Sequence, residues 1–247
     1  MNSLQEAQNE ANKCLNCKVP MCQKGCPIST HIPQFIEQIK KSNLEEAYKI
    51  LQENNIMSNI CSNVCPYEEC CVGNCIKGIK GEPIQVNKLE KYVNNWARKN
   101  NVIYVNERQK SNNIKIAVVG SGPAGIECAV ELSKKGFEVT IFEKEEEIGG
   151  LLTYGIPGFR LPRDITQNLT RRIKSLGINI QTNIEFGKDI TIESLKENGY
   201  KAIFVAIGAE TASTYHLTNK ECNKIHRSDY ISVSYTHLRA HETRGNL

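Results

Sequence analysis

Four thiols stand within thirteen residues in CLNCKVPMCQKGCP, at Cys14, Cys17, Cys22 and Cys26, with Pro27 after the last. A second group, CSNVCPYEECCVGNC, adds Cys61, Cys65, Cys70, Cys71 and Cys75, so nine of the eleven cysteines fall in the first third of the chain. An ordinary hydrophobic core has no use for thiols at this density, whereas a multi-centre metal ligand demands them. Bacterial ferredoxins use C-x2-C-x2-C-x3-C-P, in which the cysteine before the proline ligates the other cluster of the pair. The spacing here, C-x2-C-x4-C-x3-C-P, keeps that logic. The x2 turn sets consecutive thiolates on adjacent irons, and the proline bends the chain so that Cys26 reaches a second centre. Two cysteine groups therefore point to two [4Fe-4S] clusters. Structural zinc sites of four cysteines also use x2 to x4 spacings, but paired zinc ribbons favour two C-x2-C knuckles and this chain has one. Disulfides fit least, because no signal peptide precedes the cysteines and an odd, clustered count suits a reducing compartment, here the cytoplasm.

A second chemical motif lies downstream. The apolar run IKIAVV opens directly into GSGPAG and the helical AGIECAVELSKKG, a second strand EVTIF follows, and Glu143 ends that strand 23 residues beyond Gly120. G-x-G-x-x-G carries weight only in such a strand, turn and helix setting. Gly120 makes the tight turn, Gly122 lets a pyrophosphate approach the backbone, and Gly125 allows close packing of helix on strand. Together with Ser121, Pro123 and Ala124 they form a phosphate cradle at a helix N-terminus, where free amides and the positive dipole end face the ligand. Glu143 is placed to accept hydrogen bonds from the adenosine ribose, the alternative being an exposed carboxylate. Cys128, inside the helix, reads as a small buried hydrophobe. The motif alone does not choose between FAD and NAD.

The elements that hold these residues are legible from periodicity. Residues 4–13 read as a helix leading into Cys14, and Pro33 opens a second one. Phe35, Ile36 and Ile39, then Leu44, Ala47, Tyr48 and Leu51, recur at three- and four-residue steps, which gives two helices whose apolar stripes fold the cysteine groups towards each other. A turn-rich stretch after Cys75 leads to a helix over 88–99 with Leu89, Val93 and Trp96 on one face, Trp96 as a core residue. Residues 100–113 form a polar linker. Beyond the glycine loop the pattern predicts a helix over 164–176, a short strand over 178–182 and a buried strand over 201–208. The fold class is an α-helical two-[4Fe-4S] domain (1–108) followed by a partial α/β Rossmann-type FAD-binding domain (109–231). With 23% charged residues, mean hydropathy −0.41 and no apolar run long enough for a bilayer, a soluble chain is expected. The net charge of +4 is spread along helix faces and leaves no nucleic-acid footprint.

CLNCKVPMCQKGCPISTHIPQFIEQI, NICSNVCPYEECCVGNCIKGIKGEPI and KLEKYVNNWA together resemble the N-terminal iron–sulfur domain of the glutamate synthase small subunit family, shared with dihydropyrimidine dehydrogenase and the large subunit of ferredoxin:NADP transhydrogenase. The resemblance covers about residues 10–100. It implies that Cys14, Cys17, Cys22 and Cys75 hold one cubane, that Cys26, Cys65 and Cys71 hold three irons of the other, and that Glu90 is the fourth, non-cysteine ligand. Cys61 and Cys70 are then spare. The alternative for Glu90 is a solvated carboxylate on an amphipathic helix. EKEEEIGGLLTYGIPGFRLPRD is similar to the FAD half-domain of the same family. It implies FAD as cofactor, Glu143 and Lys144 at the nucleotide, Gly150 and Leu151 along it, Arg160 as a polar contact and Gly208 close to the flavin, with a plain surface arginine as the alternative for Arg160.

The resemblance stops there. No second G-x-G-x-x-G/A follows Gly208, so the NADPH domain is expected only in an intact parent, which would pass electrons to a large catalytic subunit or other redox partner protein. The residues from about 232 to 247 share no pattern with the rest and resemble a translated sequencing adaptor. The i, i+4 pair His237 and His241 is accordingly set aside as a metal site, and His216, Cys222 and His226 support no assignment.

Overall fold

The structure, a computed structural model, describes residues 1–104 and 109–209. It divides into two compact units, Met1–Asn106 and Glu107–Leu247. The 232–247 segment, His216, Cys222, His226, His237 and His241 lie outside the described residues.

The first unit is helical among its described residues. It runs through α1 (Leu4–Asn12), α2 (Met21–Lys24), α3 (Ile32–Lys40), α4 (Leu44–Asn54), α5 (Ser58–Val64), a 3-10 turn at Ile76–Ile79 and α6 (Val86–Lys99). Local chemistry starts these helices: the Ser3 hydroxyl accepts from the Glu6 amide and the Asn43 side chain from the Glu46 amide, satisfying amides that a helix start leaves without partners. The expected stripes then close on each other. Ile32, Phe35, Ile36 and Ile39 of α3 join Ala47 and Leu51 of α4 and Leu89, Val93 and Ala97 of α6 in one core. Each large side chain so buried contributes about 1.5–3 kcal/mol. Ala97, four residues after Val93, completes the inward stripe of α6, so Trp96 is a half-buried flank of the core rather than its centre.

The second cysteine group contains a helix, α5, that no apolar period announces. Its sequence is SNICSNV, and its buried residues are Ser58, Asn59, Ile60 and Ser62, mostly polar.

The second unit carries a four-stranded parallel sheet. Its elements are β1 (Lys115–Val119), α7 (Pro123–Lys134), β2 (Glu138–Phe142), α8 (Leu151–Tyr154), α9 (Arg163–Ser175), β3 (Asn179–Gln181), α10 (Ile192–Glu197) and β4 (Tyr200–Val205), in the order β3-β2-β1-β4. Strand β1 lies between β2 and β4 with Ala117 opposite Thr140 and Ile203, so the glycine loop leaves from the middle of the sheet. The strand expected to be buried near 201–208 is instead the exposed edge, with Phe204, Val205 and Ile207 at 41%, 51% and 58% exposure. Parallel strands read as continuous apolar runs because both faces are normally covered, and among the described residues nothing covers β4 in that way. Cys128 likewise is half-buried on α7, with its thiol pushed up by burial. No helix among the described residues is long and apolar enough to cross a membrane.

Candidate metal centres and nucleotide loop

Cys14 follows the end of α1, and Asn16, at φ 50°, supplies a left-handed turn between it and Cys17, a conformation that asparagine tolerates better than most residues. Lys40 Nζ on α3 donates to the Cys14 carbonyl at 3.0 Å, tying this turn to the helical core. Cys22 sits in α2, and Cys75, from the second sequence group, directly precedes the 3-10 turn. These four thiols line one cavity whose remaining walls are largely apolar, among them Ile32, Pro33, Ile36, Ile84 and Val86. Burial pushes the Cys22 thiol up to about 11, and Cys75, Cys14 and Cys17 add to the shift. The Cys22 thiol is a poor anion when alone, and four thiols around one largely apolar cavity are strong ligands for a metal group that replaces their protons, which is the chemistry of a [4Fe-4S] cradle.

The second donor set gathers around α5 and α6. Burial, then the Glu90 carboxylate, Cys26 and Cys65, push the Cys71 thiol up to about 12. Cys65 is raised by burial and by Cys70, Cys61 and Cys26. Cys61 rises to about 11 through burial, Glu90 and Cys26, although the Asn55 amide donates to its sulfur at 3.2 Å. The structure thus brings Cys26, Cys65, Cys71 and Glu90 together and places Cys61 and Cys70 among them. The neighbours of Cys26 and Cys75 pack together: the space a side chain on Gly25 would fill is taken by Asn74. Glu90 is no solvated carboxylate. It is partly buried on α6, and desolvation raises it to about 7 against the opposing hydrogen bond from the Ser58 hydroxyl at 2.6 Å. Its Oε2 has no donor among the described residues. Nor do any three described His, Cys, Asp or Glu side chains form a group able to hold a single metal ion.

The nucleotide loop is built as its glycines require. Gly120 stands at φ 96°, and a side chain there would strike the Ala206 carbonyl; one on Gly125 would strike the carbonyl of Gly120. Beside Gly122, by contrast, no atom of the described residues comes within 4 Å. The amides of Gly122, Ala124 and Gly125 have no acceptor among the described residues, and Pro123 begins α7 without needing one. This end of the helix fits a pyrophosphate. Gly150, at φ 53°, brings the start of α8 within 3.1 Å of the Gly122 Cα, measured from where its own Cβ would be. Leu151, Arg160, Lys144 and Gly208 are all exposed.

Glu143 and Ser121 behave differently from the simple reading of the motif. Glu143 is only 7% exposed. Its Oε2 accepts from the Ser121 amide at 2.9 Å and from the Ser121 hydroxyl, and its Oε1 accepts from the Glu145 amide at 3.0 Å. Ser121 is wholly buried, and its Oγ also accepts from the Gly149 amide at 3.1 Å. The pair braces the glycine loop against the strand end and the Gly149 turn. A serine inside G-x-G-x-x-G was the only sequence signal for this brace; Asn55, Ser58 and Lys40 offered none.

Comparison with known proteins fits this geometry. Residues 1–102 match the family described as dihydropyrimidine dehydrogenase domain II, 4Fe-4S cluster, and residues 114–242, just over half of the chain, match pyridine nucleotide-disulphide oxidoreductase. The NADPH glutamate synthase small chain of Azospirillum brasilense is 34% identical over 232 residues, 93% of this chain and 48% of that one. The NAD-dependent dihydropyrimidine dehydrogenase subunit PreT of Escherichia coli O157:H7 is 33% identical over 241 residues, 98% of this chain and 56% of that one. The chain therefore spans about half the length of these relatives. Its architecture is a helical [4Fe-4S] domain followed by a partial Rossmann-type FAD-binding domain, and it belongs to the pyridine nucleotide-disulphide oxidoreductase family.

Proposed function

We propose that this chain is the electron-carrying region of an NAD(P)H-dependent flavoprotein oxidoreductase of the glutamate synthase small chain type. Electrons would pass between NADPH, bound elsewhere in the longer parent, FAD and two [4Fe-4S] clusters to a large catalytic subunit or other redox partner protein. What supports the reading is that Cys75 lines one cavity with Cys14, Cys17 and Cys22 while Cys26 lies near Cys65 and Cys71, in a unit that precedes a nucleotide loop.

In this reading residues 1–108 carry the clusters and 109–231 the flavin. Cys14, Cys17, Cys22 and Cys75 hold one cluster, and Cys26, Cys65, Cys71 and Glu90 the other, with Cys61 and Cys70 beside it. When bound, FAD supplies hydride chemistry and the clusters single-electron transfer. The chain's own part is positioning. The amides at the start of α7 bind the pyrophosphate, Ser121 and Glu143 keep that loop rigid, and Oε1 of Glu143 retains a lone pair for a ribose hydroxyl. Gly150, Leu151, Lys144, Arg160 and Gly208 lie along the nucleotide. A second reading, the flavin subunit of a dihydropyrimidine dehydrogenase, is favoured by the PreT relative and by the description matching residues 1–102.

Anaerobic reconstitution of the chain, followed by iron and acid-labile sulfide analysis, tests the core of this reading. About eight irons per chain are expected for two cubanes. Stoichiometric zinc with no sulfide would overturn it.

A further inference from the structure

An unbroken chain of side-chain hydrogen bonds ends on Glu90. Gln52 Nε2 on α4 donates to Asn94 Oδ1 at 3.2 Å, Asn94 Nδ2 on α6 donates to Ser58 Oγ at 2.9 Å, and the Ser58 hydroxyl at the start of α5 donates to Glu90 Oε1 at 2.6 Å. Gln52, Ser58 and Asn94 are 1%, 1% and 3% exposed. Burying such groups is costly unless they are bonded, and an apolar trio of the same volume would pack three helices together at less cost. The polarity of the chain is also fixed from outside. Asn94 Nδ2 donates as well to the main-chain carbonyl of Glu90 at 2.9 Å. A carbonyl can only accept, so the amide of Asn94 has one orientation, its Oδ1 must face Gln52, and Gln52 must offer its NH2 group. The remaining oxygen, Gln52 Oε1, is left buried without a partner among the described residues. Ser58, whose Oγ accepts the hydrogen bond from Asn94, has its single hydroxyl proton left for Glu90. Three helices are thereby committed to presenting one donor to one carboxylate oxygen.

We propose that Ser58, Asn94 and Gln52 are positioning residues for Glu90, holding Oε1 on the Ser58 hydroxyl so that Oε2 is the oxygen offered to the cluster of Cys26, Cys65 and Cys71. The proposal rests on the reading above, in which Glu90 is a ligand of that cluster. The relay has an electronic consequence. A hydrogen bond to a ligand withdraws negative charge from the cluster, and reduction adds negative charge, so the relay favours the reduced state.

The test is a reductive titration of the anaerobically reconstituted 247-residue chain, followed by electron paramagnetic resonance, on the wild type and on Ser58→Ala, Ser58→Thr, Gln52→Leu and Glu90→Ala. At the wild-type midpoint of the Glu90 cluster, Ser58→Ala is expected to lower its reduced-to-oxidised ratio by about three- to tenfold, the worth of one hydrogen bond. Gln52→Leu, at the far end, lowers it less. Ser58→Thr keeps the hydroxyl and restores the ratio. The cluster of Cys14, Cys17, Cys22 and Cys75 is the internal control and stays unmoved. Glu90→Ala separates the two levels of the argument. If it leaves the resonance and midpoint of that cluster unchanged, Glu90 is no ligand and the relay falls with it. If Glu90→Ala alters them while Ser58→Ala and Gln52→Leu do not, the ligand reading stands and the relay alone is overturned. Equal shifts of both clusters in Ser58→Ala would also overturn it, because they would mark a general loosening of the unit.

Discussion

Glu143→Gln separates a buried brace from a carboxylate that waits for a ribose. In the structure the side chain accepts three hydrogen bonds, from the Ser121 amide, the Ser121 hydroxyl and the Glu145 amide. Glutamine keeps one acceptor oxygen. Facing Ser121 with that oxygen, it turns its NH2 group to the Glu145 N–H, so one bond to a charged acceptor is lost and two donors oppose each other. A hydrogen bond to a charged group is worth about 1.5–3 kcal/mol and an unsatisfied buried donor costs about 1–3 kcal/mol, so a loss of about 3 kcal/mol is expected without any cofactor. Hydrogen exchange read by mass spectrometry on flavin-free chain is the assay. The slowest amides of β1 and β2 should exchange about a hundredfold faster, at about 1.4 kcal/mol per factor of ten. Trp96, the single tryptophan, lies in the first unit and its fluorescence transition should not move. A change of less than about twofold in β1 and β2 would refute the brace, because a solvated carboxylate tolerates this exchange within about 0.5 kcal/mol.

Three further outcomes follow from the same geometry. Gly122→Ala meets no atom of the described residues within 4 Å and should fold normally yet lose FAD in a flavin-fluorescence titration, while Gly125→Ala collides with the Gly120 carbonyl and should cost about 1–3 kcal/mol in a thermal melt; wild-type flavin affinity in Gly122→Ala would remove the phosphate from this loop. Cys75→Ala should lower bound iron from about eight to about four per chain, and Cys61→Ala should leave it unchanged; a cluster lost in Cys61→Ala would transfer the ligand role from Glu90 to Cys61. Burial raises Glu127 on α7, whose Oε2 has no partner among the described residues. A carboxyl with a raised folded value contributes stability at low pH that is lost as pH climbs above its unfolded value of about 4.5, so Glu127→Gln should be more stable than the wild type at pH 7 and not at pH 4 in urea titrations, and equal gains at both pH values would contradict the burial of this carboxyl.

Much was determined by the sequence itself. Thiol spacing announces iron–sulfur chemistry, because consecutive ligands on adjacent irons must come from short turns. Apolar steps of three and four residues place α3, α4 and α6, since a helix has only one way to put Phe35, Ile36, Ile39 or Leu44, Tyr48, Leu51 on a common face. The strand, glycine turn and helix at Lys115–Lys134 are legible for the same local reason. Other features required the tertiary structure. Helix α5 has a polar buried face, and its Ser58 makes sense only once Glu90 and Asn94, more than thirty residues on, lie against it. Glu143 sits where a ribose acceptor belongs in sequence, yet its three donors are chosen by how the loop folds back over the strand end. The apolar run at β4 predicts burial, but coverage is a property of neighbours, and β4 stands at the edge of the sheet. Spacing along the chain decides what each segment can do; which donor meets which acceptor across helices and strands is decided by packing.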